Sequence, residues 1–265
     1  MNPISRPKFT VAVLAGVVFL SGICLAGGAE ADKLRGNRVG WARLKTPSEY
    51  WMRHSRSDPV LMNFFRDNTM LNIDPTWYAA DVEKMDQMLA YPVLFSQGIH
   101  MVASATGRTN LAEYVRRGGF LLIDACCHRS ITPNDDVFLQ QQKDLLAKIL
   151  PEARVVALPP EHPVYRCFFP IPDGKPPHTF YLNAFDAHKA SFGLHGIQIG
   201  NRIVGIISLS GLQCGWDTSV KPPGHEFPCM RILVNIYIYA MLQGGEQTEN
   251  QPVGISRPQL LFPGR

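Results

Sequence analysis

The sequence lacks the short motifs that identify many enzymes directly. It contains no Gly-x-Gly-x-x-Gly or Walker-type phosphate loop and no Gly-x-Ser-x-Gly nucleophile turn. Neither a Cys-x-x-Cys nor a His-x-x-x-His pair is present, so ligand spacing assigns no metal site. Internal repeats are also absent. These absences argue against the common nucleotide-dependent enzymes, and the motifs alone lead us to expect no cofactor.

Charge of either sign is sparse. Charged residues make up 18% of the chain, and the formal net charge is +4. No run of basic residues interleaved with aromatic side chains occurs in the sequence. A nucleic-acid partner is therefore not expected.

A long apolar run stands at the start of the chain. Arg6 and Lys8 precede the mostly apolar segment 9–25, and residues 29–31 (Ala-Glu-Ala) have the small-x-small pattern of a cleavage site. We predict a signal peptide over residues 1–31, and hence an exported protein of the periplasm or cell envelope. The alternative is an uncleaved anchor, which would give the protein its only membrane attachment.

Cysteine is scarce, and its number is odd beyond the predicted signal peptide. The cysteines there are Cys126, Cys127, Cys167, Cys214 and Cys229. An odd number leaves at least one thiol outside any internal disulfide. Cys214 and Cys229 flank a loop rich in proline and glycine, and they form the most plausible disulfide pair. The alternative is that most of these thiols are buried as small apolar side chains.

Alternating strand and helix patterns indicate one α/β domain over residues 32–243. Strands are predicted at residues 39–44, 77–82, 93–96, 120–123 and 155–158, with two more about a turn within 196–210; helices are predicted at 59–68, 110–117, 136–150 and 230–242. Such alternation predicts a mostly parallel sheet with helices on both faces. Residues 244–265 are polar and rich in glycine and proline, which predicts a disordered tail.

Two of the predicted helices begin with cap signals. Asp58 can cap the first helix, because Pro59 after it suits the first helical position. Asn110 stands three residues before Glu113, which is the spacing of a capping box. This spacing predicts that the second helix begins at Asn110.

The segment with the clearest functional meaning is 118–127, Gly-Gly-Phe-Leu-Leu-Ile-Asp-Ala-Cys-Cys. Its apolar run is short and continuous, which is typical of a strand buried on both faces. Asp124, Cys126 and Cys127 would then follow the carboxyl end of a parallel strand. In open α/β sheets, ligands bind at that edge.

Several landmarks occur in an order that is specific when they are taken together. They are Gly40-Trp41-Ala42-Arg43-Leu44, Tyr91-Pro92-Val93-Leu94-Phe95 with Gly98, the segment 118–124, the segment 158–165 (Leu-Pro-Pro-Glu-His-Pro-Val-Tyr), Gly196-Ile197, the segment 200–204 and Cys214-Gly215-Trp216. With these landmarks, residues 38–242 resemble the family called domain of unknown function 4159 (DUF4159). The family often has Gly-His after the second buried strand, whereas here Ile99 separates Gly98 from His100.

The resemblance implies a fold similar to class I glutamine amidotransferases, which is a flavodoxin-like, doubly wound, mostly parallel α/β sheet. It also implies a bacterial envelope setting. Related domains occur beside, or fused to, membrane proteins with von Willebrand factor A modules, so such proteins are the expected partners. The family has no established reaction, and the resemblance therefore implies no catalytic residue.

One hypothesis places a cysteine nucleophile directly after the buried strand. In class I amidotransferases a cysteine follows the equivalent strand at a tight turn, and a histidine acts as its base. Cys126 has about the right offset, with His162 or His100 as the base. Asp124 is a further catalytic candidate. The turn departs from that pattern because His128 stands where a glycine is usual. This hypothesis predicts a cysteine-dependent hydrolase or amidotransferase-like enzyme.

A second hypothesis is a metal-dependent hydrolase. Its candidate ligands are His100, Asp124, His128 and His162. All of them would come from loops near the carboxyl ends of strands, and a His/Asp set of this type can hold zinc and activate water. His162 has an ordinary alternative, since in Glu-His-Pro it can cap a turn and bond to the backbone.

The leading hypothesis is a non-catalytic binding or scaffolding domain of the bacterial envelope. It would present a crevice at the carboxyl edge of the sheet, lined by Asp124, His162 and Trp216. His100 is a further ligand-binding candidate. Trp216 is included because an aromatic side chain in a loop offers a large contact surface. Asp124 has an ordinary alternative role as the cap of the following turn.

Overall fold

A seven-stranded sheet forms the centre of the molecule. The computed structural model describes residues 38–126, 135–171, 174, 193–217 and 226–243. The strands are β1 (Val39–Lys45), β2 (Ile73–Asp81), β3 (Val93–Ser96), β4 (Phe120–Asp124), β5 (Ala153–Ala157), β6 (His195–Ile199) and β7 (Arg202–Ser208). Their order across the sheet is β2-β1-β3-β4-β7-β6-β5.

The sheet is mostly parallel. β1 pairs in parallel with β2 and β3, β3 with β4, and β4 with β7. β6 runs antiparallel to both of its neighbours, β7 and β5. The strand order reverses between β1 and β3, which is the topological switch point of a doubly wound sheet. The predicted flavodoxin-like α/β fold is thus confirmed.

Helices cover both faces of the sheet. They are α1 (Asp58–Asn68), α2 (Met85–Leu89), α3 (Ala105–Arg116), α4 (Asp135–Ile149), α5 (Leu212–Trp216) and α6 (Glu226–Gln243). α1 and α6 share one apolar core with Trp41 and Phe95. α2, α3 and α4 share the other core with Leu44 and Leu94. Each face of the sheet therefore has its own apolar core.

The central strand β4 shows why its sequence is apolar throughout. Phe120 and Leu122 lie in the core with α1 and α6, whereas Leu121 and Ile123 lie in the opposite core. Successive side chains of a strand point to opposite faces, so a strand that is covered on both sides needs apolar residues at every position. The prediction of a buried strand here is confirmed.

One helix begins earlier than its sequence signal predicts. α3 begins at Ala105, and the Ser104 hydroxyl caps it by accepting from the Gly107 amide at 2.9 Å. Asn110 lies inside this helix, where its side-chain amide donates to the Val82 carbonyl at 2.9 Å. Serine and asparagine are both good caps, and the contact with Val82 uses the polar group of Asn110. The predicted cap at Asn110 is therefore wrong.

Some predictions fall on parts of the chain beyond the described ranges. The signal peptide 1–31, the tail 244–265, Cys127 and His128 all lie outside the described residues. Within the part of the chain that the structure describes, no helix combines the length and the apolar character needed to cross a membrane.

Candidate thiol–imidazole site

A buried ion pair fixes the loop between β1 and α1. Arg43 lies on β1 with no exposed surface, and its Nε and Nη2 atoms each donate to the Asp58 carboxylate at 2.6 Å. The Trp41 indole donates to the same carboxylate at 3.1 Å. A buried guanidinium requires such a partner, because an unpaired charge in the core is costly. The predicted role of Asp58 as a helix cap is therefore corrected: Asp58 is the first residue of α1 and pairs with Arg43.

The backbone of the same loop is held at the Arg53 carbonyl. Arg43 Nη1 donates to this oxygen at 3.0 Å. The side-chain amides of Gln97 and Gln213 also donate to it, at 3.2 Å and 2.6 Å. The three donors come from β1, from the segment after β3 and from α5. The residue that follows Arg53 is thereby fixed relative to the carboxyl edge of the sheet.

That residue, His54, has a strained backbone. Its φ is 58° and its ψ is 11°, and within the described ranges it is the one non-glycine residue with a positive φ. This left-handed conformation costs an L-residue about 1 kcal/mol or more and persists where surrounding contacts enforce it. The three hydrogen bonds to Arg53 provide that restraint. Strain of this kind is concentrated at functional sites, which makes His54 a candidate functional residue.

Asp124 positions a second part of the site. Its buried carboxylate accepts from the Leu212 amide at 3.0 Å and from the Gln213 amide at 2.9 Å. These N–H groups begin α5, so Asp124 caps a helix that is distant in sequence. Burial raises the pKa of Asp124 to about 7, while the hydrogen bond from the Gln213 amide acts in the opposite direction. Asp124 thereby fixes the short helix that carries Cys214.

Four side chains meet between the fixed loop and α5. His54 Nδ1 donates to Asp217 Oδ2 at 2.5 Å, and His54 Nε2 lies 4.0 Å from Cys214 Sγ. Cys214 Sγ lies 3.8 Å from Cys126 Sγ. One donor atom from each of His54, Cys126 and Cys214 lies within 4.8 Å of the other two. We call these four residues the thiol–imidazole cluster.

The cluster favours the protonated form of its histidine. A hydrogen bond with the Cys126 side chain raises the pKa of His54 above its ordinary value, and the Asp217 carboxylate acts in the same direction against the effect of burial. The Asp217 side chain is 1% exposed and the His54 side chain 14% exposed, and both thiols of the cluster are buried. A cysteine beside a protonated imidazole is the arrangement that activates thiol nucleophiles.

Two of the histidines that the sequence suggests as site residues, His100 and His162, have other partners. His100 Nδ1 is hydrogen-bonded to the Gln142 side-chain amide at 2.8 Å. His162 Nδ1 accepts from the Val164 amide at 3.3 Å, which is the turn-capping role considered as its ordinary alternative. Among the described residues, the histidine that lies within reach of Cys126 is instead His54.

Trp216 lies in the core of the molecule. It has no exposed surface, and its ring packs edge-on against Trp41 and Phe95 at centroid distances of 6.2 Å and 5.7 Å. Asp124 is buried as well. These two residues therefore belong to the packed interior, whereas the binding hypothesis expected them to line an open crevice.

The cysteines also differ from expectation. None of Cys126, Cys167, Cys214 and Cys229 forms a disulfide. Cys214 faces Cys126, whereas Cys229 is buried among the apolar residues of α6. The predicted disulfide between Cys214 and Cys229 is therefore wrong. The sulfur that the fold brings to Cys214 is that of Cys126.

His54 carries no sequence signal of its own, since its segment has neither a motif nor a periodic apolar pattern. An indirect signal is Arg43, a charged residue between the apolar residues Ala42 and Leu44 of β1. A charge at a buried position predicts a buried partner and a loop arranged around the pair. The partner is Asp58, and the loop between the two contains His54.

The fold and the cluster together define a flavodoxin-like α/β domain with two thiols, an imidazole and a carboxylate at the carboxyl edge of its sheet. The family model described as domain of unknown function (DUF4159) matches residues 41–241, and the chain belongs to this family. The family assignment from the sequence landmarks is thereby confirmed, and the match includes all four residues of the cluster. No curated protein matches the chain.

Proposed function

We propose that this domain is a cysteine-dependent hydrolase that transfers an acyl group from its substrate to water. The observation that supports this proposal is the position of His54, whose Nδ1 is hydrogen-bonded to Asp217 at 2.5 Å and which has a ring nitrogen within 4.8 Å of the Cys126 sulfur. In acyl-transfer triads the nucleophile is hydrogen-bonded to the base, and the base is hydrogen-bonded to the orienting carboxylate. Such triads are recognised by geometry, so the sequence order of the three residues carries no weight.

Each residue has a defined role in the proposed reaction. His54 accepts the proton of the Cys126 thiol while the sulfur forms a bond to the carbonyl carbon of the substrate. The bond from that carbon to the leaving group breaks, and His54 gives its proton to the leaving group. Water then attacks the thioester and transfers a proton to His54. The carbon–sulfur bond breaks, the acid product departs, and the proton of His54 returns to the sulfur.

Asp217 acts on the reaction through the imidazole. Its contact with Nδ1 fixes the orientation of the ring and leaves Nε2 on the side of the thiols. A carboxylate in this position also stabilises the imidazolium that forms when the thiol gives up its proton. The raised pKa of His54, caused first by the hydrogen bond with Cys126, is consistent with this role.

A non-catalytic binding domain is the competing interpretation. That interpretation requires an open crevice around Asp124 and Trp216, but these residues are 1% and 0% exposed. A binding surface also has no need for a base held beside a buried thiol. Burial does not separate the two interpretations, because Cys126 is also 1% exposed. The enzyme is favoured by the position of His54 beside Cys126 and Cys214.

Covalent capture of the acyl intermediate tests the proposal. The reduced, full-length protein is incubated with a chelator and with p-nitrophenyl acetate as a generic acyl probe, and its peptides are then analysed by mass spectrometry. We expect acetylation of Cys126 well before that of Cys167 or Cys229. Cys229 is the matched internal control, because it is as buried as Cys126 but lies outside the thiol–imidazole cluster. Cys167 is a second control, since burial raises its pKa to about 11.

Variants of the cluster sharpen this test. His54→Gln should slow the acetylation of Cys126 by about 100-fold or more, which is the usual contribution of a general base. Asp217→Asn should also slow it, because the imidazole loses its orienting partner. Equal acetylation of Cys126, Cys167 and Cys229, or an unchanged rate in His54→Gln, would contradict the proposal and favour the binding domain.

We also propose that the domain acts outside the cytoplasm, beside envelope proteins with von Willebrand factor A modules. The predicted signal peptide 1–31 and the family resemblance support this setting. N-terminal sequencing of the protein from its native host tests it. A first residue of Asp32 would support export with cleavage, whereas an intact N-terminus in the membrane fraction would support the anchor.

A further inference from the structure

Cys214 has no role in the proposed acyl transfer, yet its sulfur is part of the cluster. It lies 3.8 Å from the Cys126 sulfur and 4.0 Å from His54 Nε2. A hydrolytic triad uses one thiol, one base and one carboxylate. The second thiol turns the same cluster into a set of three metal donors, two sulfurs and one imidazole nitrogen.

Two of the three separations between these donors are close to those around a tetrahedral zinc ion, and all three are within 4.8 Å. With Zn–S bonds of about 2.3 Å and Zn–N bonds of about 2.0 Å, two sulfurs lie about 3.8 Å apart and a sulfur and a nitrogen about 3.5 Å apart. The observed sulfur–sulfur separation is 3.8 Å, and the separation of Cys214 Sγ from His54 Nε2 is 4.0 Å. A disulfide would require about 2.05 Å. The two sulfurs are thus placed as separate ligands.

Asp217 supplies the outer hydrogen bond that a zinc-bound histidine requires. A metal-ligating imidazole almost always donates its second N–H to a carboxylate or a carbonyl, which fixes its tautomer. His54 Nδ1 makes this bond with Asp217 at 2.5 Å. In the neutral imidazole the lone pair of Nε2 then faces the sulfurs. Zinc binding would displace the second proton that the metal-free cluster favours.

Each of the three donors is held on a fixed part of the fold. His54 follows the Arg53 carbonyl, which accepts three side-chain hydrogen bonds. Cys126 lies two residues beyond the central strand β4. Cys214 lies on α5, whose first amides are bonded to Asp124. Because the ligands are already ordered, little binding energy is lost in arranging them.

We infer that Cys126, Cys214 and His54 bind one zinc ion. Two soft sulfur ligands and an imidazole select zinc over magnesium or calcium, which prefer oxygen. Three protein ligands leave the fourth position of the ion for water or a further ligand. This inference is independent of the proposed acyl transfer, since it requires the donor atoms and no turnover. Where both hold, the zinc-bound protein is a resting form, because the metal occupies the Cys126 sulfur.

Metal titration of the full-length protein tests the inference. The reduced, metal-free protein is titrated with Co²⁺, whose absorption reports its ligands. We expect one equivalent to give thiolate-to-cobalt charge-transfer absorption and the visible bands of a tetrahedral ion. One equivalent of Zn²⁺ should then abolish both signals.

Competition with a chromophoric chelator measures the zinc affinity of matched variants. Cys214→Ser should weaken binding by about 100-fold or more, because a ligand is lost. Cys229→Ser removes a buried thiol outside the cluster and should leave the affinity unchanged. Asp217→Asn should weaken binding by about 10- to 100-fold, which is the usual effect of losing an outer partner.

A measurement on the unmodified protein does not depend on the folding of any variant. Zn²⁺ should protect Cys126 and Cys214 from alkylation and leave Cys167 unprotected. Three results would each overturn the inference: no thiolate absorption with Co²⁺, an unchanged zinc affinity in Cys214→Ser, or alkylation of Cys126 and Cys214 at the same rate with and without Zn²⁺. Failure of the hydrolase proposal is distinct from these results, since it is judged by acetylation in the presence of a chelator.

Discussion

His54 and His100 follow neighbouring strands and are both partly buried at the carboxyl edge of the sheet, yet their surroundings differ in chemistry. A hydrogen bond with Cys126 raises the pKa of His54, and Asp217 adds to this effect. Burial lowers the pKa of His100, whose side-chain partner is the neutral amide of Gln142. A position at the ligand-binding edge is therefore insufficient for a catalytic role. The ionisable partners decide that role.

The anchors of the two loops differ in the same way. A buried ion pair between Arg43 and Asp58 supports the loop of His54. A neutral side chain, that of Gln142, accepts from the Ile99 amide at 2.9 Å and supports the segment of His100. We expect the charged anchor to be the more costly of the two to break.

Asp58→Ala should give the largest loss of stability. It leaves the Arg43 guanidinium buried without its carboxylate, and loss of one partner of a buried pair costs about 3–5 kcal/mol. The free energy of urea unfolding measures this cost. Glu113→Ala is the control, since it breaks an exposed pair with Arg117 and should cost about 0.3–0.5 kcal/mol. If the two variants lose equal stability, the buried pair is not the anchor of the His54 loop.

Gln142→Leu should have a smaller effect. The Ile99 amide loses its acceptor, and an unsatisfied buried donor costs about 1–3 kcal/mol. Gln140→Leu, an exposed change on the same helix, should stay within about 0.5 kcal/mol of the parent protein. Denaturant unfolding of both variants measures the difference. A cost for Gln142→Leu above that for Asp58→Ala would reverse the ranking of the two anchors.

The smallest expected effects are those of pH, and they have opposite signs. The raised pKa of His54 contributes stability that is present below its unfolded value of about 6.5 and is lost as pH rises through the folded pKa. The lowered pKa of His100 contributes stability that is present above about 6.5 and is lost as pH falls through the folded pKa.

Two measurements on the metal-free protein check these signs. The ring-proton resonances of His54 should titrate above about 6.5, and those of His100 below it. His54→Gln should lower the unfolding free energy more in acid than in alkali, whereas His100→Gln should show the reverse order. If the pKa values of both histidines are shifted in the same direction from about 6.5, the contrast between His54 and His100 is wrong.

The sequence is sufficient to predict the framework of this molecule. The apolar run of β4 is visible because both faces of the strand are buried, and it leads directly to Asp124 and Cys126. The antiparallel pair β6 and β7 is visible from its turn at Gly200, which has a φ of 58°. Local patterns of this kind depend on residues that are close in sequence, so they can be recognised without knowledge of the tertiary fold.

The complete cluster depends on contacts that no local pattern records. His54 and Asp217 are 163 positions apart, and Cys126 and Cys214 are 88 positions apart. A histidine in an irregular loop looks the same in the sequence whether it meets a thiol or solvent. The cap at Asn110 fails for a related reason, because Ser104 is an equally suitable cap and tertiary contacts decide between them.

The most direct test of the central claim, that His54 is the base of Cys126, is the pH dependence of Cys126 alkylation by iodoacetamide. It is measured by peptide mass spectrometry in the chelator-treated parent protein, in His54→Gln and in His100→Gln. We predict a fast reaction with a midpoint well below the ordinary thiol value of about 8.5. His54→Gln should slow the reaction and raise the midpoint, whereas His100→Gln should change neither. A slow parent reaction with a midpoint near or above about 8.5, or equal effects of the two variants, would contradict the account.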